Sequence, residues 1–157
     1  MKLRFWITTF CTAALLASAP AEAEITFRHA VTGEALDFSY GKAGGDTEAF
    51  RKFRETGKNP YNGDPQAIAA GHDLYLTACS GCHGHEAEGK LGPGLADDYW
   101  TYPRGATDVG LFELIWGGAQ GMMGPQNGNL NADEMLKIMA WLRSIYKGDP
   151  AKAEWSK

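Results

Sequence analysis

Cys79-Ser80-Gly81-Cys82-His83 is the run around which the rest of the 157-residue chain arranges itself. Two thiols three positions apart can each form a thioether to one porphyrin edge, and the adjacent imidazole is then held where it can ligate the iron. Other uses of paired cysteines fit less well. A redox CxxC needs a thioredoxin-like βαβ context, and no such pattern follows. A zinc site wants four ligands, and beyond these cysteines the chain offers only His29, His72, His83 and His85, with no second cysteine pair. The run therefore predicts one covalent haem c, attached through Cys79 and Cys82, with His83 on the iron.

Upstream, Asp64 reads as an N-cap with Pro65 at the first helical position. A helix is expected over 65–79, with Ile68, Leu74, Tyr75 and Ala78 on its apolar flank and Cys79 at its end. Gly71 in its middle costs roughly 1 kcal/mol against alanine, a cost that close approach of another helix explains. Residues 84–105 are rich in Gly and Pro and read as a loop. Thr107 caps a helix over 108–116, stopped by Gly117-Gly118. The clearest 3.6-residue pattern covers 133–146, through Met135, Ile138, Met139, Leu142, Ile145 and Tyr146. Towards the N-terminus, Asp46 is the expected cap of a short helix over 47–56, and 25–38 suggests a small hairpin around Thr32-Gly33.

The expected fold is mostly α and resembles a class I cytochrome c: three main haem-enclosing helices in a core over 64–147, behind an N-terminal extension over 24–63. In that class the first and last helices cross tightly, which implies Gly71 facing the Trp141/Tyr146 end.

Residues 1–23 read as a cleaved secretory signal, with Lys2 and Arg4, an apolar run over 5–19 and the Ala21-Glu22-Ala23 cleavage site. The mature chain is then a single domain from Glu24, addressed to the periplasm, and Cys11 leaves with the signal. The apolar run is too short to favour a membrane span, and no membrane anchor is expected. Formal charge is −4, and loss of Lys2, Arg4 and Glu22 makes it one unit more negative. No basic run exists, so nucleic acid is not an expected partner. The acidity suits either association with a basic protein surface or simple solubility.

The sixth iron ligand must come from the remaining His and Met side chains. His85 is too close to His83 to reach round the ring, His72 lies on the preceding helix, and His29 is distant and isolated. Met135 and Met139 share an apolar helix face and read as core. Met122 and Met123 sit instead in a Gly-flanked loop about 40 residues after His83. Met123 is favoured because Gly124-Pro125 stiffens the chain after it; Met122 is the alternative. A thioether raises the potential relative to a second histidine, as suits an electron carrier. Pro93 follows at the distance at which class I cytochromes place a carbonyl on the histidine Nδ1–H. Trp100, Tyr102 and Arg104 offer donors for haem propionates, the plainer reading being two core aromatics and a solvated charge.

The runs Cys79 to His85, Glu88 to Leu95, Trp100-Thr101-Tyr102-Pro103, Thr107 to Phe112 and Gly117 to Pro125, with Val31 to Leu36, resemble cytochrome cL over nearly the whole mature chain. That resemblance implies a non-enzymatic, single-haem electron carrier. It would accept electrons from a PQQ-dependent methanol dehydrogenase and pass them to a second small c-type cytochrome. It also implies the second methionine of the pair as ligand. Some relatives of the calcium-enzyme branch carry an extra cysteine pair, a longer tail and a His three residues after the ligand Met. This chain has Gln126 there, and resembles the acceptor of the lanthanide-type enzyme. Two rivals stand beside this reading: a haem enzyme or gas-binding module with an open distal site, and a haem subunit of another periplasmic dehydrogenase or oxidase complex.

Overall fold

The computed structural model describes residues 25–157, so the leader expected over 1–23 lies outside the described residues. Among the described residues five α-helices follow in order: α1 (Glu48–Thr56), α2 (Pro65–Ala78), α3 (Ser80–His83), α4 (Asp108–Gly117) and α5 (Ala132–Ser144). Short 3-10 turns occur at Pro103–Ala106, Pro150–Lys152 and Glu154–Ser156. The architecture is mostly α, as the periodicity predicts. No helix among the described residues is long and apolar enough to cross a membrane.

The helix starts follow from side chains that satisfy otherwise orphaned N–H groups. The Asp64 carboxylate accepts the Gln66 and Ala67 N–H groups of α2 at 2.8 and 3.0 Å. Thr107 Oγ1 accepts the Gly110 N–H of α4. Asn131 and Glu134 form a reciprocal capping box, which starts α5 one residue before the expected Asp133. The helix also stops short of Tyr146, whose ring turns away to meet Trp155 edge-on at 4.7 Å. At α1 the cap is Thr47, whose hydroxyl accepts Phe50 N–H, and Asp46 is drawn off to Arg51. The expected hairpin reduces to one antiparallel bridge, Arg28 to Ala35. Pairing ends there because Phe27 and Phe38 both turn into one aromatic cluster, their rings 5.6 Å apart.

That cluster joins Phe27, Phe38, Phe50, Phe53, Phe112 and Trp116, and so ties the extension and α1 to α4. The second core element is the crossing of α2 and α5. A β-carbon on Gly71 would fall inside the Lys137 peptide. The contact centres on Lys137 and Ile138, about one turn before the expected position. Trp141 is too large for the closest point and packs beyond it, against Tyr75 at 4.3 Å and His72 at 4.9 Å.

Residues 41–45 form a strap across the start of α5. Lys42 N–H donates to Asn127 O (2.7 Å), Asn131 Nδ2 donates to Ala43 O (3.3 Å), and Lys42 Nζ pairs with Glu134 at 2.7 Å. A β-carbon on Gly45 would lie 2.8 Å from Ala132 N.

A buried ion pair ties the other end of the molecule together. Arg143 Nε lies 3.2 Å from Asp108 Oδ1, with both side chains almost fully buried. Asp108 Oδ2 also accepts Asn59 N–H and Asn62 Nδ2, while Arg143 Nη2 donates to Gly105 O and Thr107 O. Burial pulls the guanidinium below its ordinary pKa and Asp108 opposes that pull. The Trp155 ring lies over the guanidinium at 4.0 Å.

Two substitutions check these contacts by guanidinium unfolding of the haem-loaded protein. Asp108→Ala leaves a buried, uncompensated Arg143 and is expected to cost about 3–5 kcal/mol. Gly71→Ala should be destabilising even though alanine gains about 1 kcal/mol of helix propensity, with Gly71→Val worse.

Candidate haem site

α2 ends by turning into the motif rather than by stopping. Cys79 N–H still donates to Tyr75 O (2.8 Å), but the Cys79 backbone leaves helical geometry and one further turn, α3, follows. Cys79 O accepts the N–H groups of both Cys82 and His83, at 3.1 and 3.0 Å. One carbonyl thus draws the second thiol and the imidazole onto the same turn as the first thiol. Neither cysteine is in a disulfide. Burial, with the neighbouring Cys82 second, pushes the unmodified Cys79 thiol up to about 11. That is the reverse of the low-pKa thiolate on which a CxxC oxidoreductase depends.

The chain then folds back over His83. Gly89 N–H donates to His83 O, and Leu91 and Gly92 N–H both donate to Cys82 O. The Tyr75 hydroxyl, fully buried, donates to Gly84 O at 2.8 Å. This return brings Pro93 O to 2.9 Å from His83 Nδ1. A carbonyl only accepts, so Nδ1 carries the proton and Nε2 keeps its lone pair free for a metal. Gly92 makes the approach possible, because a β-carbon there would lie 2.7 Å from His83 Cε1.

The other candidate ligands separate by environment. Met135 and Met139 are fully buried between helices. His72 stacks on Trp141, and His29 Nδ1 accepts the Val31 and Thr32 N–H groups in the N-terminal turn. Met122 is 84% exposed, while Met123 is half-buried. The loop that carries them closes on itself through Ala119 N–H to Met123 O (2.8 Å), and Gln126 N–H pins its return to Ile115 O.

A cleft of roughly 420 Å³ opens between the last turns of α2 and the chain that follows the methionine loop. Leu74, Ala78 and Leu130 give it apolar walls, and Lys42 and Gln126 stand among the lining residues. The cleft reaches Ala78, the residue before Cys79, and two unpaired thiols with an imidazole whose Nε2 is free on the turn that follows fit a covalently attached haem.

Trp100, Tyr102 and Arg104 have partners within the protein itself. Arg104 grips the buried Glu113 carboxylate through Nε (3.0 Å) and Nη2 (2.7 Å). The Tyr102 hydroxyl oxygen accepts Gln120 N–H at 3.0 Å. Trp100 lies against Gly105 and 5.4 Å from the Arg143 guanidinium. None of these contacts bears on a propionate. Sequence reading did not find Glu113, which looks like one more charged residue on α4 until its burial is seen, nor the Tyr102–Gln120 contact between two loops.

Comparison with known proteins places this geometry. Residues 66–142 match the family model described as cytochrome c oxidase, cbb3-type, subunit III. The chain is 60% identical over 132 residues to cytochrome c-L of Methylorubrum extorquens, a stretch covering 83% of this chain and 67% of that protein. The crystal structure of cytochrome cL from Methylophaga aminisulfidivorans superposes with a TM-score of 0.82 at 61% identity, over 84% of this chain and 88% of that one. Cytochrome cL from Hyphomicrobium denitrificans gives 0.80 at 53% identity, over 85% and 80%. Likeness of that order in both sequence and backbone means that the chain belongs to the cytochrome cL family of c-type cytochromes, electron carriers of class I fold with one covalently attached haem c.

Proposed function

We propose that this chain is a periplasmic carrier that takes single electrons from a PQQ-dependent methanol dehydrogenase, of the lanthanide type, and hands them to a second small c-type cytochrome. The observation that carries the reading is the fixed His83, its Nδ1 held by Pro93 O on the turn that presents both thiols, in a chain 60% identical to a cytochrome c-L. When bound, haem supplies a one-electron ferric/ferrous couple, and no substrate chemistry is required of the protein. Cys79 and Cys82 would tether it, and His83 Nε2 and Met123 would hold its iron. The exposure of Met122 favours its neighbour, and the Ala119–Met123 bond fixes the backbone on which that sulfur hangs. Removal of residues 1–23 on export and a domain division at about residue 63 belong to the same reading.

Stopped-flow mixing of the ferric protein with methanol dehydrogenase and methanol is expected to show rapid reduction, faster with the lanthanide enzyme than with the calcium one. Absence of reduction by either enzyme overturns the partner assignment. In a spectroelectrochemical titration, Met123→Ala should lower the potential, because a thioether raises it, whereas Met122→Ala should leave it in place. Carbon monoxide should shift the Soret band of ferrous Met123→Ala but not of the wild type. A wild-type shift would favour the haem enzyme or gas-binding reading.

A further inference from the structure

We propose that Tyr102 is a positioning residue for the axial methionine, its phenol oxygen holding the ligand loop closed through the main chain of Gln120. This rests on the reading of Met123 as the ligand. After α4 the chain leaves at Gly118 and returns at Gln126. The return limb is well held: Gln126 N–H donates to Ile115 O, Asn127 Nδ2 to Trp116 O, and Lys42 N–H to Asn127 O. The base of the loop is closed by Ala119 N–H to Met123 O. The tip is different. Gln120, Gly121 and Met122 are all exposed, so no apolar packing fixes them. Among the described residues, its bond to the rest of the protein is the one from Gln120 N–H to Tyr102 Oη, at 3.0 Å.

Tyr102 is a firm base for that bond. Its carbonyl accepts Gly105 N–H at 2.8 Å, at the head of the 3-10 turn Pro103–Ala106. Arg104 in the same turn is clamped to Glu113, which is 1% exposed and sits on α4. The phenol is therefore referenced to the same helix from which the methionine loop springs. Opening of the loop is a local equilibrium, and a hydrogen bond present only in the closed form biases it. Loss of one ordinary hydrogen bond should raise the open population about two- to tenfold. An external ligand that needs the open form then binds tighter by the same factor.

The experiment uses the purified ferric holoprotein. It compares wild type, Tyr102→Phe, Gln120→Ala and Met123→Ala by imidazole titration, by the sulfur-to-iron charge-transfer absorption and by thermal unfolding. Tyr102→Phe is expected to keep the absorption when no ligand is added and to bind imidazole about two- to tenfold more tightly. Gln120→Ala, whose main-chain N–H is intact, should bind as the wild type does. An unchanged imidazole affinity in Tyr102→Phe overturns the proposal, even if its unfolding temperature falls, because a merely structural role lowers stability alone. Retention of the absorption in Met123→Ala overturns the ligand reading itself, whatever Tyr102→Phe does.

Discussion

The backbone contact of Gly71 with the Lys137–Ile138 peptides is the constraint from which the rest of this structure hangs. With no side chain between them, α2 and α5 have one separation and little freedom to slide. Cys79 lies eight residues further along, about 12 Å by helical rise, so the crossing fixes where the attachment motif emerges. The far end of α5 is held separately, by Arg143 on Asp108 and by Trp155 over the guanidinium. A buried ion pair of this kind contributes modest net stability against a well-packed apolar substitute. Its role here is geometric: it sets the start of α4 against the end of α5.

The two sides of the candidate haem site are built by different means. His83 is locked by local contacts, all within the turn and loop that contain it, and its proton position follows from one carbonyl. The methionine loop has few contacts of its own. It borrows order from α4, from the strap over 41–45 and from Tyr102. The proximal half can thus be read nearly complete from the consecutive residues 79–93, whereas the distal half is assembled from four separate parts of the chain.

That difference governs how much was legible beforehand. The helices were visible because apolar spacing and caps are local signals, and Asp64-Pro65 marked the start of α2 to the residue. The Asp46/Thr47 choice was not, since both residue types cap and only the competing Arg51 and Asp133 contacts separate them. Gly71 announced a close approach, but its partner had to be seen, because a helix pattern does not fix register between helices. The motif named the thiols and the imidazole. The pairing of Arg104 with Glu113 depends on how the 3-10 turn lies against α4, and that of Tyr102 with Gln120 on how two loops meet, and neither spacing nor composition carries that.

The strap over 41–45 has a temporal meaning as well as a spatial one. Its ion pair joins residues 92 apart in the chain, and its side-chain bond to Asn131 joins residues 88 apart. Contacts at such separation reward the chain only after the intervening loop has been closed. The intervening loop here contains the whole attachment motif and the methionine loop. The strap therefore contributes only once that loop has been closed, and it stabilises the finished chain rather than any local segment of it.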